Sequence, residues 1–301
     1  MKKVKQLEYK KKHRKLGVVD WLIYIFMALF ALLVIYPFWD IFLTSFSDPV
    51  TTTSLGLHLW IKDWQLDSYA FVLSDVKVLY AYGNTIFRTV VGTSLSVLVT
   101  ILCAYPLSKK QLPGRNVITL YFLFTMFFNG GLIPTYLLIK NLDLIDKRFV
   151  LILPHLMNVY YMIIMRNYLM SMDDALEESA FIDGAGYVTI LFKIVVPLAK
   201  PVIATVVLWI AVWHWNSWFD ALIYIRDEKK LVLQTLLRRM LQYASAESNA
   251  LEDFNNEANA KIVSNTVRAA ITMITIGPII LLYPSLQKYF IKGIMVGSLK
   301  G

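Results

Sequence analysis

Six runs of mostly apolar residues punctuate this chain, at 21–45, 84–107, 117–139, 150–165, 202–225 and 267–290. A helix needs about 20 such residues to cross the hydrocarbon core of a bilayer. The fourth run is short and is expected to continue into the loop after it. Hydrophobic residues make up 57% of the 301 and charged residues 17%, against roughly 45–50% and about 25% in soluble domains. Interior volume grows too slowly with length for a globule of this size to bury the excess. The surplus must face lipid, which excludes a soluble enzyme, a disordered chain and a collagen-like fibre. A single cysteine, Cys103, excludes an internal disulfide framework and a cysteine-based zinc site.

The formal charge of +9 resembles a nucleic-acid footprint until its distribution is read. The tail 1–17 carries Lys2, Lys3, Lys5, Lys10, Lys11, Lys12, Arg14 and Lys15. With that tail inside, the inner loops hold Lys109, Lys110, Arg115, Arg166, Lys193 and Lys200, and the C-terminal end holds Lys288, Lys292 and Lys300. Basic residues near span ends mark the cytoplasmic side. The expected topology therefore has both termini in the cytoplasm, and the charge is an orientation signal. The first run is too long for the apolar region of a signal peptide, and no A-x-A-like site follows it. It is expected to stay as an anchor.

The inner loop 166–201 is the most informative stretch. Ser171 is expected to cap a helix, with Asp174 closing a capping box. That helix should run through Leu176 and Ala180 and stop at Asp183-Gly184, where glycine can take the left-handed conformation after a helix end. A second helix would then align Val188, Leu191, Phe192 and Val195 in one apolar stripe. It should end near Pro197, which disfavours helix at the residue before it.

These residues carry a resemblance. Glu178-Ser179-Ala180, then three residues, Gly184, nine residues and Ile194-Val195-Val196-Pro197 resemble the "E-A-A" loop of ABC-importer permeases. Ser179 replaces the middle alanine of E-A-A and Val196 the leucine of I-x-L-P, both small changes in size. Further stretches resemble the second permease subunit of the maltose-type carbohydrate branch. They are Ala104-Tyr105-Pro106-Leu107-Ser108-Lys109 with Pro113-Gly114-Arg115, Trp215-Asn216-Ser217-Trp218, and the end from Gln287-Lys288-Tyr289 to Gly297-Ser298-Leu299-Lys300-Gly301. Phe128-Asn129-Gly130-Gly131-Leu132-Ile133-Pro134 is most similar to permeases for complex or uronate-bearing oligosaccharides. The resemblance spans residues 18–301.

The resemblance implies an all-α, six-span ABC importer transmembrane domain of type I over 18–301, in a bacterial cytoplasmic membrane. It implies a second, homologous permease, two ATPase subunits docking on 166–201, an extracellular solute-binding protein and an imported sugar or oligosaccharide. In that scheme Glu178, Ser179, Ala180, Asp183, Gly184, Ala185 and Pro197 couple the permease to the ATPase. No phosphate-binding G-x-x-x-x-G-K-[ST] loop occurs in the chain. ATP and Mg2+ therefore belong to the partner, and this chain is expected to be neither an enzyme nor a nucleic-acid binder.

Other features allow two readings each. Trp209, Trp213, Trp215, Asn216 and Trp218 suit a sugar path, because aromatic faces stack on sugar rings, but equally suit an interfacial aromatic belt. Asn129 and Gly130 interrupt the third run, where non-helical backbone lines a wet cavity or ends a helix. His214 reads as a polar side chain at a helix contact rather than a metal ligand. Arg88 and Arg268 are expected to snorkel at outer span ends, although bases at an outer vestibule would suit an acidic sugar. The outer loop 226–266 opens with an amphipathic stripe, Leu233, Leu236, Leu237, Met240 and Leu241, expected to lie on the membrane surface. The polar stretch 245–259 would be a solvated loop or a docking surface for the binding protein. Competing classes are a permease for a peptide or other solute, a secondary transporter, and a membrane-embedded enzyme. The second would need intramembrane acids, for which only Asp40 and Asp220 offer themselves. The third would need a convergent cluster, and His13, His58, His155 and His214 are scattered along the chain.

Overall fold

A computed structural model describes residues 17–48, 59–61, 63–250 and 265–280. The expectations for the basic tail, for the polar stretch beyond 250, for the end of the sixth run and for the C-terminal motif lie outside the described residues. The described chain is all-helical apart from one isolated antiparallel bridge, Ser47 to Trp64.

Two helices are each long and apolar enough to span a membrane, α1 (Val18–Ser45) and α3 (Val76–Ser108). The Gly17 N–H donates to the Asp20 carboxylate at 2.8 Å, starting α1. Only Leu43 and Ser45 of that helix are buried within the chain, as expected of a helix apolar on every side. After α2 (Asp67–Ser74), Asp75 accepts the Lys77 N–H at 2.8 Å and caps α3. The helix thus begins eight residues before the expected start at 84. The extension carries Val78 and Ala81, both buried against neighbouring helices.

The expected third, fourth and fifth spans are each broken. The chain bends by 110° between α4 (Arg115–Phe127) and α5 (Leu132–Asn141), so 117–139 is not one straight crossing. At the break Asn129 Oδ1 accepts the Gly131 N–H at 2.9 Å, a local turn that competes with helix. The fourth consists of 3-10 turns at Arg148–Leu151 and Leu153–His155, then α6 (Val159–Met170), bent by 48°. It runs five residues past the expected end at 165. In the fifth, α10 (Lys200–Asn216) stops at Ser217 and α11 (Phe219–Tyr224) resumes. The outer helix α12 (Leu233–Ala250) and the final described helix α13 (Asn265–Ile280) follow.

α3 is the central element. Ile101, Ala104 and Tyr105 of α3 form one core with Met162 and Met165 of α6 and Val206 and Ile210 of α10. A second core joins Val78 and Ala81 to Trp215, to Leu233 and Leu236 of α12, and to Ala270 and Ile271 of α13. Leu233 and Leu236 of the predicted stripe, with Leu237 and Met240 beside them, therefore pack on protein and not on a membrane surface. Amphipathicity shows that a helix has one apolar face, but not what covers it.

Candidate functional site

Two places in the fold combine unusual backbone with placed polar groups. The first is the helix–turn–helix after α6. Ser171 ends α6 instead of capping the next helix, and α7 (Ala175–Ile182) starts after Asp174. Asp173 Oδ1 accepts the Ala175 N–H at 3.0 Å, the capping contact that the sequence assigned one turn too early. At the other end Gly184 takes φ +85°. The Gly184 N–H donates to the Phe181 carbonyl at 3.0 Å and the Ala185 N–H to the Ala180 carbonyl at 2.9 Å. That paired arrangement closes a helix only around a left-handed residue, so the Asp183-Gly184 turn behaves as its sequence implied.

The chain then continues through α8 (Tyr187–Ile190), a π-helical turn (Leu191–Val195) and α9 (Val196–Leu198), passing Pro197 by one residue before Ala199. The wider π turn shifts the buried face. Ile190, Leu191 and Val195 are buried, while Val188 and Phe192 of the expected stripe are exposed. Glu178, Ser179, Asp183, Gly184 and Pro197 are exposed, Ala185 is partly buried and Ala180 is sealed into the α3–α6–α10 core. The outward end also exposes Ile182, Tyr187 and Val188.

One contact ties this unit to α3. Lys109 Nζ pairs with Glu177 Oε1, and the Tyr105 hydroxyl donates to Glu177 Oε2 at 3.1 Å. Lys109 Nζ also lies 4.9 Å from the Tyr105 ring centroid. Arg166 Nε donates to the Leu107 carbonyl at 2.8 Å, binding the end of α3 to α6.

The second place is a cavity of about 880 Å³ beside the α10–α11 break. Its wall includes Tyr161, Trp209, Trp213 and Trp218, and its polar edge is His155, Asn216, Ser217 and Asp220. Behind that edge Arg88 is buried rather than snorkelling. Its Nη1 donates to Asp220 Oδ1 at 3.1 Å and to the Ser217 carbonyl at 3.2 Å, and its Nη2 pairs with Asp220 Oδ2. Thr235 Oγ1 donates to the Trp218 carbonyl at 2.9 Å. Side chains distant in sequence thus bond the carbonyls of both residues between α10 and α11, where backbone away from water needs partners. His214 is buried, accepts from Arg88 Nε at 3.4 Å, and has no partner for Nε2 among the described residues. It packs against Gly92 of α3, as a helix-contact residue should. A Cβ on Gly92 would lie 2.6 Å from His214 Nε2, so only glycine fits there.

Trp213 and Asn216 line the cavity, whereas Asn129 and Gly130 sit exposed in the α4–α5 break and are not part of its wall. The sequence reading missed the pairing of Arg88 with Asp220 and the approach of His155. The available signal was that ionisable residues inside apolar runs normally pair. Among the described residues, no group of three His, Cys, Asp or Glu side chains is placed to hold a metal.

Comparison with known proteins decides what these two places belong to. No family model matches the chain. It is 36% identical over 282 residues to the polygalacturonan/rhamnogalacturonan transport system permease protein of Bacillus subtilis, covering 94% of this chain and 98% of that one. The chain belongs to the permease family of carbohydrate ABC importers. An arabinooligosaccharides transport system permease of the same organism is 26% identical over 282 residues, covering 92% of this chain and 94% of that protein. Among solved structures, a bacterial ABC transporter involved in the import of the acidic polysaccharide alginate matches with a TM-score of 0.82 and 35% identity, over 91% of this chain and 96% of that chain. This permease is thus an integral membrane subunit of an importer. The helix–turn–helix and the aromatic cavity are the two places to look for coupling and for cargo.

Proposed function

We propose that this permease carries an acidic oligosaccharide inward across the bacterial cytoplasmic membrane, with 171–199 as the docking unit for two ATPase subunits and the aromatic cavity as part of the path. The reading comprises six crossings with both termini cytoplasmic, a second homologous permease, and a binding protein on the outer side over 226–266. Bare apolar surface along α1 would be covered by lipid and by the second permease. The observation that carries the reading is the Glu177 contact. The outward end presents Glu178, Ile182 and Asp183 to a partner, while Ala180 and Glu177 fix the same helix to the core and to α3.

The mechanism follows from that rigidity. ATPase closure would push on the exposed end, and α7 would move with α3 and α6 as one body, switching the cavity between outer and inner access. Aromatic walls hold sugar rings without demanding one hydroxyl pattern, which suits a path that must release its cargo. Acidic cargo follows from the relatives, whose names include polygalacturonan and alginate. Purification of the tagged permease tests the assembly, followed by a screen of neutral and uronate-bearing oligosaccharides for stimulated ATP hydrolysis. An ATPase chain should co-purify and uronate-bearing oligomers should stimulate it. A response to a peptide and to no carbohydrate would overturn the substrate class.

A further inference from the structure

The cavity has one feature that sugar stacking does not need. Among the described residues, His155 is the only wall residue able to carry positive charge. It is one-third exposed, its Nε2 lies 3.5 Å from Asp220 Oδ2, and its ring stands 4.6 Å from that of Trp213. These contacts fix the imidazole at the boundary between the aromatic wall and the polar edge.

The neighbouring charges show what such a side chain can bind. Arg88 and Asp220 are engaged with each other through both prongs, so neither is available to a ligand. His214, on the far side of Arg88, is fully buried between α3 and α10 and does not line the cavity. The paired charges cancel, which leaves His155 as the wall residue whose ring N–H can meet a ligand carboxylate. A neutral sugar offers that ring only hydroxyls. Ion-assisted hydrogen bonds are about twice as strong as neutral ones.

We propose that His155 is a specificity-determining residue that binds the carboxylate of a uronate-bearing oligosaccharide, whose ring lies against Trp213. Asp220 holds the imidazole in place, and Arg88 keeps the Asp220 charge from repelling the ligand. This rests on the acidic-oligosaccharide reading above, which assigned the cavity but no carboxylate-binding group within it.

The test uses the complete importer in proteoliposomes, with one binding protein throughout, and two probes of the same length: oligogalacturonate and its methyl ester. His155→Gln should raise the oligogalacturonate concentration for half-maximal ATPase stimulation about tenfold. His155→Arg should keep it near the wild-type value, and His155→Gln should alter the response to the ester far less than the response to oligogalacturonate. Equal half-maximal concentrations for wild type and His155→Gln, or an equal loss on both probes, would overturn the proposal. Should His155→Gln not assemble, carboethoxylation of His155 in the wild-type importer, read by mass spectrometry, replaces it. Protection by oligogalacturonate alone supports the site, and equal protection by both probes overturns it. A wild-type importer that responds to neither probe would instead remove the acidic-carbohydrate reading.

Discussion

Arg88 on α3 and Asp220 on α11 meet as a buried two-pronged ion pair, joining parts of the chain 132 positions apart. Through the same guanidinium, the pair also holds the Ser217 carbonyl at the α10–α11 break. A buried pair broken on one side leaves an uncompensated charge, at a cost of about 3–5 kcal/mol, whereas replacing both partners with apolar residues is often close to neutral. Asp220→Asn should therefore lower the thermal-inactivation midpoint of the purified complex more than Arg88→Met combined with Asp220→Leu. The reverse order would mean that the pair does not hold the break.

Gly92 of α3 packs directly against the His214 imidazole of α10. Gly92→Ala places a methyl 2.6 Å from the imidazole Nε2, and forced overpacking of this kind costs about 1–3 kcal/mol. The loss should be largely relieved by adding His214→Ala, which makes room. Thermal unfolding of the two variants checks this. A double variant less stable than Gly92→Ala alone would show that the imidazole, not the glycine, sets the spacing.

Lys109 and Glu177 tie α7 to the end of α3, and in the proposed mechanism motion of α7 would pass through that contact. Lys109→Ala should leave substrate-stimulated ATP hydrolysis in place but reduce sugar transported per ATP by about fivefold or more. Exchanging the two charges, Lys109→Glu with Glu177→Lys, should restore much of that ratio. Paired uptake and hydrolysis assays measure it, and an unchanged ratio in Lys109→Ala would remove the contact from the coupling route.

Asp146 governs the outer turn at 226–230. Partial burial works to raise its carboxyl. The Asp227 and Arg226 amides, together with Lys230 Nζ at 3.0 Å, outweigh that effect and hold it below its ordinary 3.8. A depressed carboxylate stabilises the fold above its unfolded-state value, and that contribution is lost as pH falls through the folded-state value. Asp146→Asn should therefore speed hydrogen exchange at Arg226 and Asp227 near neutral pH. The difference from wild type should shrink below about pH 3.8. Equal exchange at neutral pH would contradict the assignment.

Much of this fold was legible because lipid allows few solutions. Apolar runs located the helices, and Gly184 located the turn in the inner loop. Breaks were harder to see. The α10–α11 interruption at Ser217 lies inside one mostly apolar run, and Arg88 and Thr235, which bond the Ser217 and Trp218 carbonyls, are distant in sequence. The stripe on α12 was visible, but its partner Val78 lies before the start expected for the second span. The π turn at Leu191–Val195 has no sequence marker and rotated the predicted face. For the site, Trp213 and Asn216 could be chosen from composition. His155 could not, because only the fold brings it to Asp220.

The proposed function makes this chain one of two membrane subunits of an ATP-driven importer of acidic oligosaccharides, coupled through its helix–turn–helix. Uptake of labelled oligogalacturonate into proteoliposomes tests it most directly, using this permease, its second permease, the ATPase and the binding protein. Accumulation against a gradient should require ATP on the ATPase side and be abolished by Gly184→Asp in a complex that still assembles. ATP-independent accumulation, or full transport by the Gly184→Asp complex, would contradict the claim.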